Sequence, residues 1–203
     1  MLSLAVVPAR AQYTVEPASP CPGEGVSDSI KAVLQPDCYR VKDPSGAAFV
    51  EVWLNKSIPS DKGGSVGGSE FSFIPVNTLV GVIRYAKASA DFRGQAIKPG
   101  VYTMRFNLQP EDGDHQGASP RRDHLLLAPA SADQDAGAKL NFDQEVGLSK
   151  QASGTSHPSV LFMPRPESGA KFPSMRSGGN RQILQVKSGS VELGIVVVGK
   201  AEE

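Results

Sequence analysis

The chain reads as an all-β protein, an antiparallel β-sandwich with one or two short helices, and three observations predict it. Glycine and proline supply 21 and 16 of its 203 residues, so breakers punctuate the chain throughout, as in folds built from many short strands. Residues 100–108 alternate strictly, with Tyr102, Met104, Phe106 and Leu108 on one side and Thr103, Arg105 and Asn107 on the other. That is the period of a half-buried strand. The carboxyl-terminal stretch repeats the pattern, because RQILQVK and VELGIVVVG flank Ser188-Gly189 and place Val191, Leu193, Ile195 and Val197 on one face of a hairpin.

The first residues, MLSLAVVPARAQ, have the form of the end of a secretory signal peptide. Residues 2–7 are apolar, and Ala9-Arg10-Ala11 is the small-x-small pattern read at cleavage. Residues 1–11 are therefore assigned to a signal remnant, and the mature protein is expected in the periplasm or outside the cell. Residues 12–37 form an extended, proline-bearing lead-in and a short helix. Ser27 caps that helix, Ile30, Val33 and Leu34 share its face, and Pro36 stops it. Cys21 and Cys38 flank the segment, and in an oxidising compartment the pair is expected to close into a disulfide worth about 3 kcal/mol.

Residues 38–203 are assigned to a single β-sandwich domain. CYRVK and AAFVEVWLNK read as a hairpin around Asp43-Pro44-Ser45-Gly46, with Val50, Val52 and Leu54 facing the core. SIPSDKGGSVGGS is a loop. EFSFIP, TLVGVIRYA, DHLLLAP and PSVLFMP read as further strands, and the segment before Lys98-Pro99-Gly100 as the hairpin partner of residues 100–108. Residues 140–153 read as a second helix, capped by Asn141 and ended by Gly154.

Charge excludes one class of partner. Twenty-one basic residues balance twenty-one acidic ones, and no basic surplus interleaved with aromatics is present, so nucleic acid is not an expected partner. No apolar run approaches the roughly 18 residues needed to span a bilayer, so no transmembrane segment is expected.

The residues with chemistry gather in QPEDGDHQGASPRRDH. Asp112, Asp114, His115, Asp123 and His124, joined by His157, are the side chains that bind a divalent metal or share a proton when they converge. Their spacing matches no HExxH or calcium-loop motif, and aspartate, glycine and histidine are also the residues of a surface turn. Arg105 could anchor an anionic ligand, although a strand arginine more often pairs with a carboxylate. Trp53 and Tyr85 could form a sugar-stacking platform, although a lone tryptophan on a strand is usually core. Gly63-Gly64-Ser65-Val66-Gly67 has the GxSxG form but lacks the strand before it and the helix after it that a nucleophile elbow requires.

IKPGVYTMRF resembles the corresponding strand of transthyretin-like and other immunoglobulin-like bacterial modules. The longer run DFRGQAIKPGVYTMRFNLQPEDGDHQG, with RDHLLL and GTSHPSVLFMP after it, resembles uncharacterised exported bacterial β-rich proteins with no assigned activity. The resemblance implies a secreted β domain and carries over no catalytic residue. The functional expectation is a binding or structural module rather than an enzyme, with enzyme status left open, that meets an unknown ligand or cell-envelope partner through residues 109–123. No catalytic residue is assigned and no cofactor is expected, a divalent metal being the one alternative. The candidate ligand-binding residues are Arg105, Asp114, His115, Asp123, His124 and His157. The alternative is a metal-assisted hydrolase built from the histidines and aspartates of the 109–124 loop with His157, in which His115, His124 and His157 would hold a divalent metal.

Overall fold

The computed structural model describes residues 12–18, 20–21, 25–61, 65–111 and 120–201. The signal-peptide pattern of residues 1–11 lies outside the described residues, as do Gly63, Gly64, Asp112, Asp114 and His115. In chain order the elements begin with β1 (Thr14–Ala18), α1 (Asp28–Val33), β2 (Cys38–Lys42) and β3 (Ala48–Leu54). There follow β4 (Leu79–Tyr85), β5 (Ser89–Ala90), β6 (Ala96–Ile97), β7 (Gly100–Leu108) and β8 (Asp123–Pro129). The chain ends with α2 (Phe142–Ser153), β9 (Val160–Phe162), β10 (Ser174–Gly178), β11 (Arg181–Ser188) and β12 (Val191–Val198).

The strands form a mostly β, sandwich-like domain. A seven-stranded antiparallel sheet has the order β1-β2-β3-β4-β7-β8-β9, a second sheet runs β10-β11-β12, and β5 and β6 make a small ribbon. The alternation read from the sequence supplies the core between the two sheets. Val50, Val52, Leu54, Ile83, Met104, Phe106, Leu125 and Leu127 of the large sheet share one buried cluster with Leu184, Val186, Leu193 and Ile195 of the small one.

The opposite face of the large sheet is covered as well, so its central strands are buried on both sides. Ile30 and Leu34 at α1 pack there with Trp53, Leu79, Val82 and Ala130, and α2 lies over β8. Both helices begin as their sequences dictate. Ser27 accepts a hydrogen bond from the Ile30 amide. Asn141 and Gln144 form a reciprocal capping box, each side-chain oxygen 2.9 Å from the other residue's amide nitrogen. Gly154 ends α2 in the left-handed conformation at φ 67°, which residues with a Cβ adopt only at a cost.

The structure corrects four readings. No disulfide joins Cys21 and Cys38, which are not at bonding distance. The residue opposite Cys38 across the β1–β2 ladder is Ala18, and Cys21 lies three residues past it, beyond the end of β1. The lead-in is tied down by that backbone ladder instead. Burial pushes the Cys38 thiol up to about 12, so little of it is the reactive thiolate near neutral pH. Second, EFSFIP is not a strand. Ser69 Oγ and the Glu70 and Phe71 amides donate to the Asp123 carboxylate at 2.5, 2.8 and 3.1 Å, so these groups bond a side chain rather than a neighbouring strand. Phe71 and Ile74 still reach the core.

Third, β6 is not the partner of β7. It pairs with β5 across a turn, in which Asp91 accepts from the Arg93 and Gln95 amides, while both edges of β7 are occupied by β4 and β8. Fourth, Trp53 and Tyr85 form no stacking platform. Both are buried, Trp53 in the cluster under α1 and Tyr85 in the core between the sheets.

Two glycines test the packing with opposite signs. A Cβ on Gly81 would come 2.2 Å from the Trp53 carbonyl oxygen, so Gly81→Ala is expected to destabilise the fold by about 1–3 kcal/mol. Gly147, exposed in α2, has open space around a Cβ, so Gly147→Ala is expected to stabilise by roughly 0.5–1 kcal/mol. Urea unfolding of the two variants checks both signs.

Candidate functional site

The covering layer of the large sheet is organised by a buried polar cluster on β7. The Arg105 guanidinium, 2% exposed, donates two hydrogen bonds to the Asp133 carboxylate, at 2.7 and 2.8 Å. Its remaining donors reach the Asn77 carbonyl at 2.9 Å and the Asp135 carbonyl at 2.7 Å, and Thr103 also donates to Asp133. Four of the five guanidinium N–H donors are thus taken up by the chain's own groups, and the side chain is 2% exposed. Arg105 is therefore engaged with its own chain, as a strand arginine usually is.

The same expectation holds on the amino-terminal side of the sheet. Glu51 on β3 accepts from both Arg40 on β2, at 2.8 Å, and Arg84 on β4. Each pair sits at a facing position of its ladder.

Next to Arg105 the cluster is less complete. Glu145, in the first turn of α2 and 4% exposed, accepts from Asn107 Nδ2 at 2.7 Å through one oxygen. Its other oxygen, Oε1, has no partner among the described residues. Burial pushes this carboxyl up to about 7, against the opposing pull of Arg105 and Asn107.

A groove of about 240 Å³ lies beside α2, where that helix passes over β8, and β9 contributes to its lining. Phe142, Val146 and Lys150 recur every fourth residue and so lay one stripe of α2 along it. Phe92, Leu126, Val160 and Phe162 form the apolar remainder with Pro110 and Pro158, and the Phe92 and Phe162 rings lie 5.2 Å apart at 33°. Arg93, His124 and His157 lie on the rim with Gln109 and Ser156, and among the described residues no aspartate or glutamate lines the groove. Two further depressions, of about 260 and 240 Å³, each gather a single aromatic ring, so this groove alone among the three combines several rings with basic side chains.

The segments that make the groove are laced together by hydrogen bonds. Asp91 accepts from the Val160 amide at 3.1 Å and from Gln95 Nε2 at 2.9 Å. Gln95 also donates to the Pro158 carbonyl and accepts from Thr155 Oγ1. Burial outweighs these bonds and pushes the Asp91 carboxyl above the usual carboxylate range. The turn carrying Phe92 and Arg93 is thereby fixed against the segment carrying His157.

Of the residues singled out in the sequence, His124 and His157 come to one groove. His124 Nδ1 donates to the Arg122 carbonyl at 2.9 Å, since a carbonyl can only accept, and in the neutral ring this leaves Nε2 as the acceptor. His157 is exposed at the rim. Asp123 is fully buried, with both oxygens taken by residues 69–71. Ser65 is exposed, and residues 65–77 contain neither strand nor helix, so the GxSxG pattern makes no elbow. Among the described residues, no group of three or more histidine, cysteine, aspartate or glutamate side chains could hold a metal ion.

Sequence reasoning passed over Phe92, Phe142, Phe162 and Lys150. The one signal available was Phe142, which is exposed in a helix whose neighbouring Glu145 faces inward. Among the described residues, no helix is long and apolar enough to cross a membrane. The site thus belongs to a β-sandwich-like domain with a helix-covered face. Compared with protein-family models, curated proteins and solved structures, the chain matches none.

Two outcomes follow from the buried cluster. Asp133→Ala strands the Arg105 charge and is expected to cost on the order of 3–5 kcal/mol in urea unfolding; a loss under about 1 kcal/mol would show that the pair does not hold the covering layer. For Glu145 the folded carboxyl titrates near 7, above the 4.5 of an unhindered glutamate. The native state then binds the extra proton, so this group's contribution is full below the unfolded value and is lost as pH rises through about 7. Glu145→Gln should match the wild type near pH 4.5 and exceed it above pH 7 by on the order of 2–3 kcal/mol. Chemical unfolding of both proteins across that range reads the difference, and parallel curves would contradict it.

Proposed function

We propose that the protein is a binding module that takes a small organic molecule into the groove between α2 and the β8–β9 end of the large sheet. The observation that carries this reading is the convergence of three phenylalanines from separate segments with basic side chains at one concave site. Concavity, apolar walls and a few polar groups are the usual composition of a small-molecule site. An apolar cavity of about 150 Å³ already holds benzene, so a groove of about 240 Å³ has room for a ring bearing a short arm. The apolar residues 2–7 followed by Ala9-Arg10-Ala11 support an exported protein working in the periplasm or outside the cell.

Amide chemical shifts recorded with a set of small aromatic fragments test the reading. Perturbations should cluster at Phe92, Leu126, Val146 and Phe162. Val146→Trp, which fills the groove from its partly exposed helix face, should abolish them while the melting temperature stays within a few degrees. Perturbations that map elsewhere, or that persist in the filled variant, would remove the groove from consideration.

A further inference from the structure

We infer that the ligand of this groove is an aryl-substituted carboxylic acid, bound as its anion with the ring toward Phe142 and the carboxylate toward Lys150 and Arg93. The inference rests on the reading of the groove as a small-molecule site and specifies its ligand class.

The groove is polarised along its length. Phe142, Val146 and Lys150 occupy successive turns of one helix face, which sets the phenylalanine and the lysine about 12 Å apart along the axis. Lys150 is in the last turn of α2. His157 and Ser156 follow that helix, and Arg93 is brought to the same segment by the hydrogen bonds that join Gln95 to Thr155 and Pro158. Lys150, Arg93 and His157 therefore collect at the carboxyl-terminal end of α2, and the apolar stripe of the helix leads away from them towards the first turn, where His124 lies opposite Asn107.

Among the described residues, neither Arg93 nor Lys150 takes part in an ion pair, whereas Arg40, Arg84, Arg105 and Lys87 each have a carboxylate partner. Among the described residues, no carboxylate lines the groove. A guanidinium and an ammonium flanking an apolar trough complement a planar anion attached to a hydrophobic body, with the arginine suited to a bidentate contact. The carbonyl end of α2 carries the negative pole of the helix dipole, so the anion is held by these side chains and not by the backbone. Three phenylalanine walls favour an aromatic ring for the body, which they can meet edge-on or offset.

Isothermal titration calorimetry with phenylbutyrate, the corresponding neutral alcohol and the corresponding cationic amine tests the inference, because the three share a ring and arm and differ in head-group charge. Phenylbutyrate should bind the full chain roughly tenfold or more tighter than the amine. The double variant R93Q/K150Q should lose that preference while its affinity for the alcohol is unchanged. Both residues are exposed, so the variant is expected to fold. If the alcohol or the amine binds as well as the acid, or the double variant retains the preference, the anionic ligand is wrong and the groove remains a small-molecule site. If none of the three binds, both readings fall.

Discussion

The bidentate contact between Arg105 and Asp133 is the interaction on which the outer layer of this protein depends. Arg105 projects from the centre of β7 into a face that would otherwise be solvated, and through its other donors it holds Asn77 and Asp135 as well. Asn77 in turn donates to the carbonyls of Ala138 and Leu140, the residues that lead into the Asn141 cap of α2. One buried charge pair thus fixes the loop after β8, the loop fixes where α2 begins, and α2 forms one wall of the groove. Two charges so deeply buried carry a desolvation cost that only extensive hydrogen bonding offsets, and here four of the five guanidinium donors and both carboxylate oxygens are engaged.

The contrast with Glu145 shows how the same layer tolerates an imperfect neighbour. Its carboxylate has one good partner in Asn107 and one oxygen with none. The group resolves the conflict by holding its proton to higher pH. Because Glu145 lies between Phe142 and Val146 in sequence yet points inward, its protonation state bears on the seating of the helix face that the groove uses. The extensively bonded pair and the half-satisfied carboxyl are both consequences of covering a polar strip of sheet with a helix.

Much of the fold is legible in the sequence, and the legible parts share a physical origin. The alternation of β7 and β12, the Ser27 and Asn141 caps, the αL glycine at 154 and the turn at residues 43–46 are all decided within a few residues, by side-chain period, free amides and backbone sterics. The errors share an origin too. EFSFIP has a strand's composition, but Asp123, distant in sequence, takes up its backbone donors. Residues 96–97 precede a turn that suits a hairpin, yet β4 and β8 already occupy β7. The expected disulfide required Cys21 opposite Cys38, and the β1 register placed Ala18 there. β10, with the polar sequence SMRSG, has no pattern of its own and is a strand because β11 pairs with it.

The candidate site divides in the same way. The sequence by itself determined an antiparallel sheet protein, its principal strands, both helices with their ends, and the candidate status of His124 and His157. Tertiary structure alone decided that these two histidines share a groove with Phe92, Phe142, Phe162, Arg93 and Lys150, and that Arg105 and Asp123 are spent internally. Periodicity and capping are short-range properties that a linear text records. A concave site assembled from the β5–β6 turn, β8, α2 and β9 is a property of registers and packing, which are settled only when segments far apart in the chain compete for the same backbone hydrogen bonds and the same buried surface.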